Sequence, residues 1–240
     1  MTPGSEKPDD GTAVFTDKMR YPYIAYSQRV EIHPIFKGLS GDPLIVDLSA
    51  DSPLYNEVDL FDQRAFQSWL DKSMEEGRGF SWGVASYLED RKPLLYQHPQ
   101  MREEERYFHL GLDIIVGLGT PLHAPLDGVV VESAYEEGEG NYGGNVLLRH
   151  ESPVFETFYS LYGHLNRERL PPCGSGFKAG EVFAFIGDFH ENGNWFYHTH
   201  LQIITRKGYD MGYLSKGYCS ASDLKIMDSI SPSPLSLFKV

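Results

Sequence analysis

Hydrophobic and polar residues alternate with a strand-like period of two in several runs between residues 105 and 205. Residues 107–116 and 197–204 are the clearest runs, and both are rich in the aromatic and β-branched residues that strands favour. Glycine and proline interrupt the pattern at short intervals. The pattern predicts that residues 105–205 are nearly all β-strand, joined by short turns and one acidic loop at 136–140.

The first half of the chain has a mixed pattern. Residues 1–12 are polar and rich in proline and glycine, which predicts disorder. Residues 43–48 indicate a strand, and residues 83–91 and 94–96 return to strands. Between them a helix is predicted at 62–76, with Gly77 as its C-cap and an apolar face made of Phe66, Trp69, Leu70 and Met74.

Together these elements predict a mainly β protein. We expect an antiparallel β-sandwich or half-barrel core at 105–205 and a small α+β appendage at 13–104. Residues 206–240 have little periodicity, which predicts a tail packed on the surface. With 240 residues, 41% of them hydrophobic, the chain is long enough to bury a core of this size.

The charge of the chain limits its partners. A formal net charge of −13 disfavours nucleic acid and anionic membrane surfaces, so we expect neither as a partner. The first thirty residues contain no apolar stretch long enough for a signal-peptide core or a membrane span, which predicts a cytoplasmic protein as written, or an exported one if a signal precedes residue 1. Cys173 and Cys219 fit no metal motif and are expected to stay unpaired.

Three histidine clusters carry the chemistry of this sequence: His109 with Asp113, His164, and His198 with His200. On a strand, period two places His109, Gly111 and Asp113 on one face, and the glycine leaves room there for an ion. The same period makes His198 and His200 face one way. One of these two imidazoles can therefore bind a metal while its neighbour acts on substrate.

These residue types favour a catalytic zinc site. Catalytic zinc ordinarily has three protein ligands and a water whose pKa falls to about 7. His109, Asp113 and His200 would supply such a set, and the absence of a cysteine pair argues against a closed structural site. His164 and His198 would then be free to accept a proton from the water or to donate a hydrogen bond to an oxyanion.

The motifs His109-x-x-x-Asp113, Tyr162-Gly-His164-Leu165 and His198-x-His200 resemble those of the lysostaphin-type zinc metallopeptidases, a family of mostly peptidoglycan endopeptidases. Segments 119–130, 143–150 and 178–187 lie between these motifs and also resemble the family, in the family's order. The resemblance implies one zinc ion per chain, held by His109, Asp113 and His200, with His164 and His198 as the catalytic pair. It further implies hydrolysis of peptide amides, in peptidoglycan stems or bridges or in their soluble fragments.

Aromatic residues near the motifs have two interpretations. Tyr142, Tyr162 and Trp195 are expected to bind substrate, either as a groove wall or by offering a hydroxyl to the oxyanion, while packing in the core is the alternative. Five further histidines are expected to have no metal-binding or catalytic role: His33, His98, His123, His150 and His190. Of these, His150 ends a strand and is expected to pack.

Other functions stay open at this point. The run from Gly83 through Glu89-x-Arg91 resembles a sub-branch of the same family that lacks secretion signals. This resemblance favours an intracellular hydrolase whose amide substrate is not part of the cell wall. A zinc-bound but non-lytic interaction or regulatory module is a second alternative. Residues 124–130 and 178–181 also resemble lipoyl and biotinyl carrier half-motifs, but Lys178 is not at a hairpin tip. The sequence leaves the oligomeric state open.

Overall fold

The computed structural model describes residues 18–75 and 80–240, and an eight-stranded β-sheet is the main feature of this part of the chain. The strands are β1 (Leu44–Ile45), β2 (Gly83–Ala85), β3 (Arg106–His109), β4 (Leu112–Ile115), β5 (Pro121–His123), β6 (Gly128–Glu136), β7 (Gly143–His150), β8 (Phe158–Leu165), β9 (Gly176–Phe177), β10 (Val182–Phe185), β11 (His198–Thr205) and β12 (Tyr218–Ser220). The prediction of a mainly β fold is confirmed.

Helices in the described residues are mostly short. They are α1 (Gln63–Glu75), α2 (Lys92–Leu95), α3 (Pro99–Glu103), α4 (Arg206–Asp210) and α5 (Met227–Ile230). Turns of 3-10 helix lie at Tyr23–Tyr26, Pro53–Asn56, Arg167–Arg169, Tyr213–Ser215, Leu224–Ile226 and Pro234–Leu237. The predicted helix at 62–76 corresponds to α1, which Asp62 caps by accepting from the backbone N–H groups of Arg64 and Ala65. Residues 1–12, Glu76 and Gly77 lie outside the described residues.

Eight strands form the main sheet, in the order β1-β2-β4-β11-β8-β7-β6-β9. Strands β1 and β2 pair in parallel, and the other neighbours pair antiparallel. Two further pairs, β5 with β10 and β3 with β12, form small sheets. One face of the main sheet packs on the β5–β10 pair in the central core, whose buried residues include Leu112, Ile114, Val146, Tyr162, Phe183 and Leu201.

Residues from both ends of the chain extend the histidine-bearing core. Strand β2 pairs with β4, so that Ala85 lies opposite Asp113. Strand β12, from the segment after residue 205, pairs with β3 and places Tyr218 opposite His109. The proposed domain boundaries at 13–104, 105–205 and 206–240 stay a prediction, but all three segments contribute residues next to the histidines.

The continuous strand predicted at 107–116 is wrong. Strand β3 ends at His109 and β4 begins at Leu112, and the two strands belong to different sheets. Between them the N–H of Leu110 donates to the carbonyl of Gly217, which ties the break to the segment that leads into β12. His109 and Asp113 therefore do not share a face by period two, and a bend in the chain brings them together.

Two shorter strand predictions also differ from the structure. A strand is predicted at residues 94–96, but the structure has helix α2 at Lys92–Leu95. Pro93 lies in the first turn of this helix, where proline is favourable, and the helix buries Leu94 and Leu95 in a neighbouring core. The strand predicted at 43–48 is only Leu44–Ile45. No helix in residues 18–75 and 80–240 combines the length and apolar character needed to cross a membrane. Cys173 and Cys219 are free thiols, as predicted.

His150 is a packed histidine, as the sequence indicated. It lies fully buried at the end of β7, where its Nδ1 faces the carbonyl of Asp127 at 2.9 Å and its Nε2 faces the hydroxyl of Ser160 at 2.7 Å. Burial lowers the pKa of His150 from 6.5 to about 4. The folded protein therefore keeps this imidazole neutral at pH values where the unfolded chain protonates it.

We expect His150 to make the fold sensitive to mild acid. The stability that its depressed pKa contributes is present above pH 6.5 and is lost as the pH falls to about 4, a loss of about 3 kcal/mol. In urea unfolding, the difference in unfolding free energy between the natural protein and His150→Gln should narrow by that amount between pH 7 and pH 4. His190→Gln, at an exposed residue, is the control. A constant difference would contradict the assignment.

Candidate metal centre

Three buried side chains converge where β3 ends and β4 lies beside β11. His200 lies opposite Asp113 in the register of β11 with β4, and His109 reaches them from the bend after β3. The Nε2 atom of His109 lies 2.9 Å from Nδ1 of His200. The Oδ1 atom of Asp113 lies 3.2 Å from the first and 3.3 Å from the second. The structure thus brings together the three ligands predicted from the sequence.

Carbonyl acceptors orient both histidines of this triangle. His109 directs Nδ1 to the carbonyl of Ser86 at 2.8 Å, and His200 directs Nε2 to Oε1 of Gln202 at 3.0 Å. In a neutral imidazole those nitrogens are the ones that carry the proton, so the two nitrogens inside the triangle present lone pairs. Burial, followed by the charge of Arg91, lowers the pKa of His109 to about 3, which keeps it neutral.

The triangle fits a divalent cation. Three lone-pair atoms face each other with no proton between them, and Oδ1 of Asp113 is buried without a hydrogen-bond donor. Ligands at 2.0–2.1 Å from a tetrahedral zinc ion lie about 3.3 Å apart, close to the measured edges. A Cβ on Gly111 would lie 2.6 Å from Nδ1 and Nε2 of His200, so glycine is needed there to admit the imidazole. The glycine thus makes room for a ligand, not directly for the ion.

Arg91 holds the other oxygen of Asp113. Its Nη1 donates to Oδ2 of Asp113 at 2.7 Å, and its Nε donates to Oε2 of Glu89 at 2.8 Å. Glu89 in turn accepts from the backbone N–H of Leu48. Burial alone would raise the pKa of Asp113, but the positive charge of the adjacent Arg91 guanidinium holds it well below its usual range. The carboxylate therefore stays ionised with Oδ2 occupied, and Oδ1 is directed at the histidines.

His164 and His198 lie beside the triangle with their rings 4.3 Å apart. The Nδ1 atom of His164 faces the carbonyl of Asn192 at 2.8 Å, and that of His198 faces the carbonyl of Phe196 at 2.8 Å. Both Nε2 atoms are therefore proton acceptors in the neutral form. Burial lowers the pKa of His198 to about 4 and holds that of His164 well below its usual range. Nε2 of His198 lies 3.6 Å from Oδ1 of Asp113.

An unusual backbone conformation directs His164 to this side of the sheet. Tyr162 and Leu165 of β8 belong to the central core, and strict alternation would place His164 on the core face with Tyr162. His164 instead has a φ of +63°, and the register of β8 with β7 shifts at this point. Such backbone strain in a non-glycine residue is typical of functional sites.

A cavity of about 400 Å³ opens onto His164 and His200. Tyr142 and Trp195 line it, in agreement with their proposed role in substrate binding, which stays a prediction. The hydroxyl of Tyr142 donates to Oε1 of Gln202 at 3.3 Å. Tyr162 does not line this cavity. Its side chain is fully buried on the opposite face of the sheet with its ring against Phe183, so its expected substrate contact is corrected to core packing.

The sequence prediction missed two residues of this site. Gln202 lies two residues after His200 on β11, so period two could have placed it beside the ligands. The motif Glu89-x-Arg91 resembles a sub-branch of the family, but nothing in the sequence indicates that Arg91 donates a hydrogen bond to Asp113, 22 residues away.

Parts of this chain are similar to known peptidases. Residues 107–211 match the sequence model of peptidase family M23. The peptidoglycan DD-endopeptidase ShyC of Vibrio cholerae is 38% identical over 79 residues, which are 33% of this chain and 16% of that protein. An uncharacterized metalloprotease of Haemophilus influenzae is 38% identical over 80 residues, 33% of this chain and 15% of that protein. The matched segments are thus less than a fifth of the length of either relative.

Similar solved structures include the catalytic domain of lysostaphin from Staphylococcus simulans, with 25% identity and a TM-score of 0.34 over 41% of this chain and 68% of that chain. A zinc containing peptidase from Vibrio cholerae has 23% identity and a TM-score of 0.35 over 42% of this chain and 28% of that chain. The resemblance that the histidine motifs indicated is confirmed by the family match.

Replacing Arg91 should weaken metal binding. In Arg91→Met, Oδ2 of Asp113 loses its charged donor, so the carboxylate is free to rotate and zinc affinity should fall about 10- to 100-fold. Competition with a chromogenic chelator measures the affinity directly. Arg20→Met is the matched control, because Arg20 makes an exposed ion pair with Glu156. Equal zinc affinity in the natural protein and Arg91→Met would contradict the role assigned to Arg91.

Proposed function

We propose that the protein is a zinc-dependent metalloendopeptidase that hydrolyses peptide amide bonds, because residues 107–211 match the sequence model of peptidase family M23. The observation that carries the proposal is the triangle of His109 Nε2, Asp113 Oδ1 and His200 Nδ1, which reaches an open cavity through His200. Three ligands with an accessible side are the arrangement that hydrolytic zinc sites use.

The protein groups around the triangle suit amide hydrolysis. When bound, zinc supplies a Lewis acid for the scissile carbonyl and lowers the pKa of water. His164 and His198 each keep their Nδ1 proton on a backbone carbonyl, so Nε2 is the atom that accepts a proton from water or returns one to the leaving amine. Their depressed pKa values make both histidines neutral at pH 7, as a proton acceptor must be.

Peptides of peptidoglycan are the substrates we propose, because the curated relative from Vibrio cholerae is named a peptidoglycan DD-endopeptidase. The net charge of −13 favours soluble fragments over intact wall, since like charges repel within a Debye length of about 8–10 Å. The walls of the cavity at Tyr142 and Trp195 would then hold a short peptide.

Variants of the two free histidines separate catalysis from metal binding. His164→Ala and His198→Ala should each retain about one zinc per chain and lower turnover about 100-fold or more. The double variant His109→Ala, Asp113→Ala should lose the metal, because it removes two of three ligands. Elemental analysis and mass spectrometry of peptide cleavage measure both properties. Zinc loss from His198→Ala would make that histidine a ligand, and unchanged turnover would exclude the substituted histidine from catalysis.

If the zinc-loaded natural protein cleaves none of a panel of muropeptides and unrelated peptides, the endopeptidase proposal is wrong. A zinc-bound module without lytic activity would then account for the site better.

The preference for soluble substrate can be measured separately. We expect soluble digests of sacculi to be cleaved faster than intact sacculi, because electrostatic repulsion keeps an acidic protein away from an anionic wall. Parallel assays at low and high salt give the comparison, and added salt should reduce the difference. Faster clearing of intact sacculi would contradict this preference.

A further inference from the structure

Arg106 places a buried positive charge in the wall of the candidate active-site cavity. It begins β3, three residues before His109, and only 4% of its surface is exposed. It lines the same cavity as His164 and His200. A guanidinium removed from water destabilises the fold unless acceptors satisfy its five N–H groups. The partners of Arg106 therefore indicate what this charge is for.

The described part of the chain satisfies Arg106 incompletely. Its Nε lies 2.8 Å from Oε2 of Glu104, but not in hydrogen-bonding geometry, so this buried N–H lacks an acceptor. Its Nη1 donates to the carbonyl of Tyr218 at 3.5 Å, the outer limit for a hydrogen bond. The side chain of Glu104 is 46% exposed and also faces Lys216. Glu104 is thus a shared, solvent-screened partner.

Arg91 provides an internal comparison. That guanidinium is also buried, but it donates to two buried carboxylates, Asp113 and Glu89, at 2.7 and 2.8 Å. Two carboxylates thus neutralise its charge within the protein, although its Nη2 is also buried without a hydrogen-bond partner. Among the described residues, Arg106 has one carboxylate within ion-pair distance, the half-exposed Glu104, and is therefore able to accept another carboxylate from the cavity that it lines.

The opposite charge lies elsewhere in the cavity lining. Glu136, at the end of β6, and Glu137 line the cavity from the main sheet, whereas Arg106 lines it from the small β3–β12 sheet. An anionic group that enters the cavity is therefore repelled by Glu136 and Glu137 and attracted to Arg106. A guanidinium also matches a carboxylate in a bidentate geometry that a lysine cannot reproduce.

We propose that Arg106 binds a free carboxylate of the substrate, so that the preferred substrates are peptides carrying a carboxylate close to the scissile amide. This inference rests on the proposed endopeptidase function and specifies its substrate class. A cavity of about 400 Å³ is small for a ligand pocket, so the carboxylate belongs to the cleaved residue or to an adjacent one. On binding, it replaces Glu104 as the partner of the guanidinium.

Matched peptide pairs test the inference. Each pair has one sequence and differs only in a carboxylate or a carboxamide next to the scissile bond. In Arg106→Gln, kcat/KM for the acid peptide should fall about 10- to 100-fold, mainly through KM, while the amide peptide is unchanged. Arg106→Lys should restore part of the loss. Glu104→Gln should lower KM for the acid peptide alone, because it removes the internal competitor.

Zinc content and thermal unfolding of each variant are measured alongside. An equal loss for acid and amide peptides in Arg106→Gln would overturn the proposal and leave Arg106 a structural residue. If Arg106→Gln does not fold, an unchanged KM in Glu104→Gln overturns it instead.

A binding measurement separates this inference from the proposed function. Acid and amide peptides are titrated into zinc-loaded His198→Ala, and the fluorescence of Trp195, which lines the cavity, reports binding. Tighter binding of the acid peptide, abolished by adding Arg106→Gln, supports the carboxylate site even if no peptide is cleaved. Equal affinity of the two peptides would overturn it.

Discussion

The carboxylate of Asp113 is the group on which the rest of this site depends. One of its oxygens accepts from Arg91, and the other is left without a donor, facing two imidazole lone pairs. The carboxylate needs both the Arg91 guanidinium on one oxygen and a cation at the other. Without the guanidinium the carboxylate would be free to rotate, and without a cation the three lone-pair atoms would repel each other in a buried space.

This requirement explains why distant parts of the chain pack against the histidine strands. Arg91 comes from the segment after β2, and it is held by Glu89, which is itself bonded to the backbone at Leu48. On the other side, Tyr218 from β12 packs its ring 5.5 Å from that of His109. Residues outside the segment 107–211 that matches the family therefore enclose the candidate metal centre. These residues orient the candidate ligands, and Arg106 contributes to the wall of the cavity.

Two local backbone features complete the centre. Gly111 admits the imidazole of His200 at a position where a Cβ would collide with it. His164 adopts a left-handed conformation, which turns its ring out of the face that Tyr162 occupies in the core. A strained histidine is retained only where surrounding bonds fix it, and here its N–H donates to the carbonyl of Tyr142 while its own carbonyl accepts from Gly187. The strain is thus offset by backbone pairing on both sides.

The sequence by itself identified the candidate ligand residues, because the chemistry of zinc restricts them to a few side-chain types and the motifs His109-x-x-x-Asp113 and His198-x-His200 supply those types in order. It also determined the mainly β class, since alternation and turn residues are local signals. The sequence did not reveal the strand break after His109, because alternation with a period of two continues from His109 to Ile114, across the point where β3 ends.

Only the tertiary structure decided which charged and aromatic residues reach the ligands. Arg91 and Arg106 look alike in the sequence, yet one is neutralised by two buried carboxylates and the other lines the cavity. Tyr142 and Tyr162 both precede a glycine, yet one faces the cavity and the other the core. The physical reason is that local periodicity fixes the side of a strand on which a residue lies. Which elements cover that side depends on pairing between segments far apart in the chain.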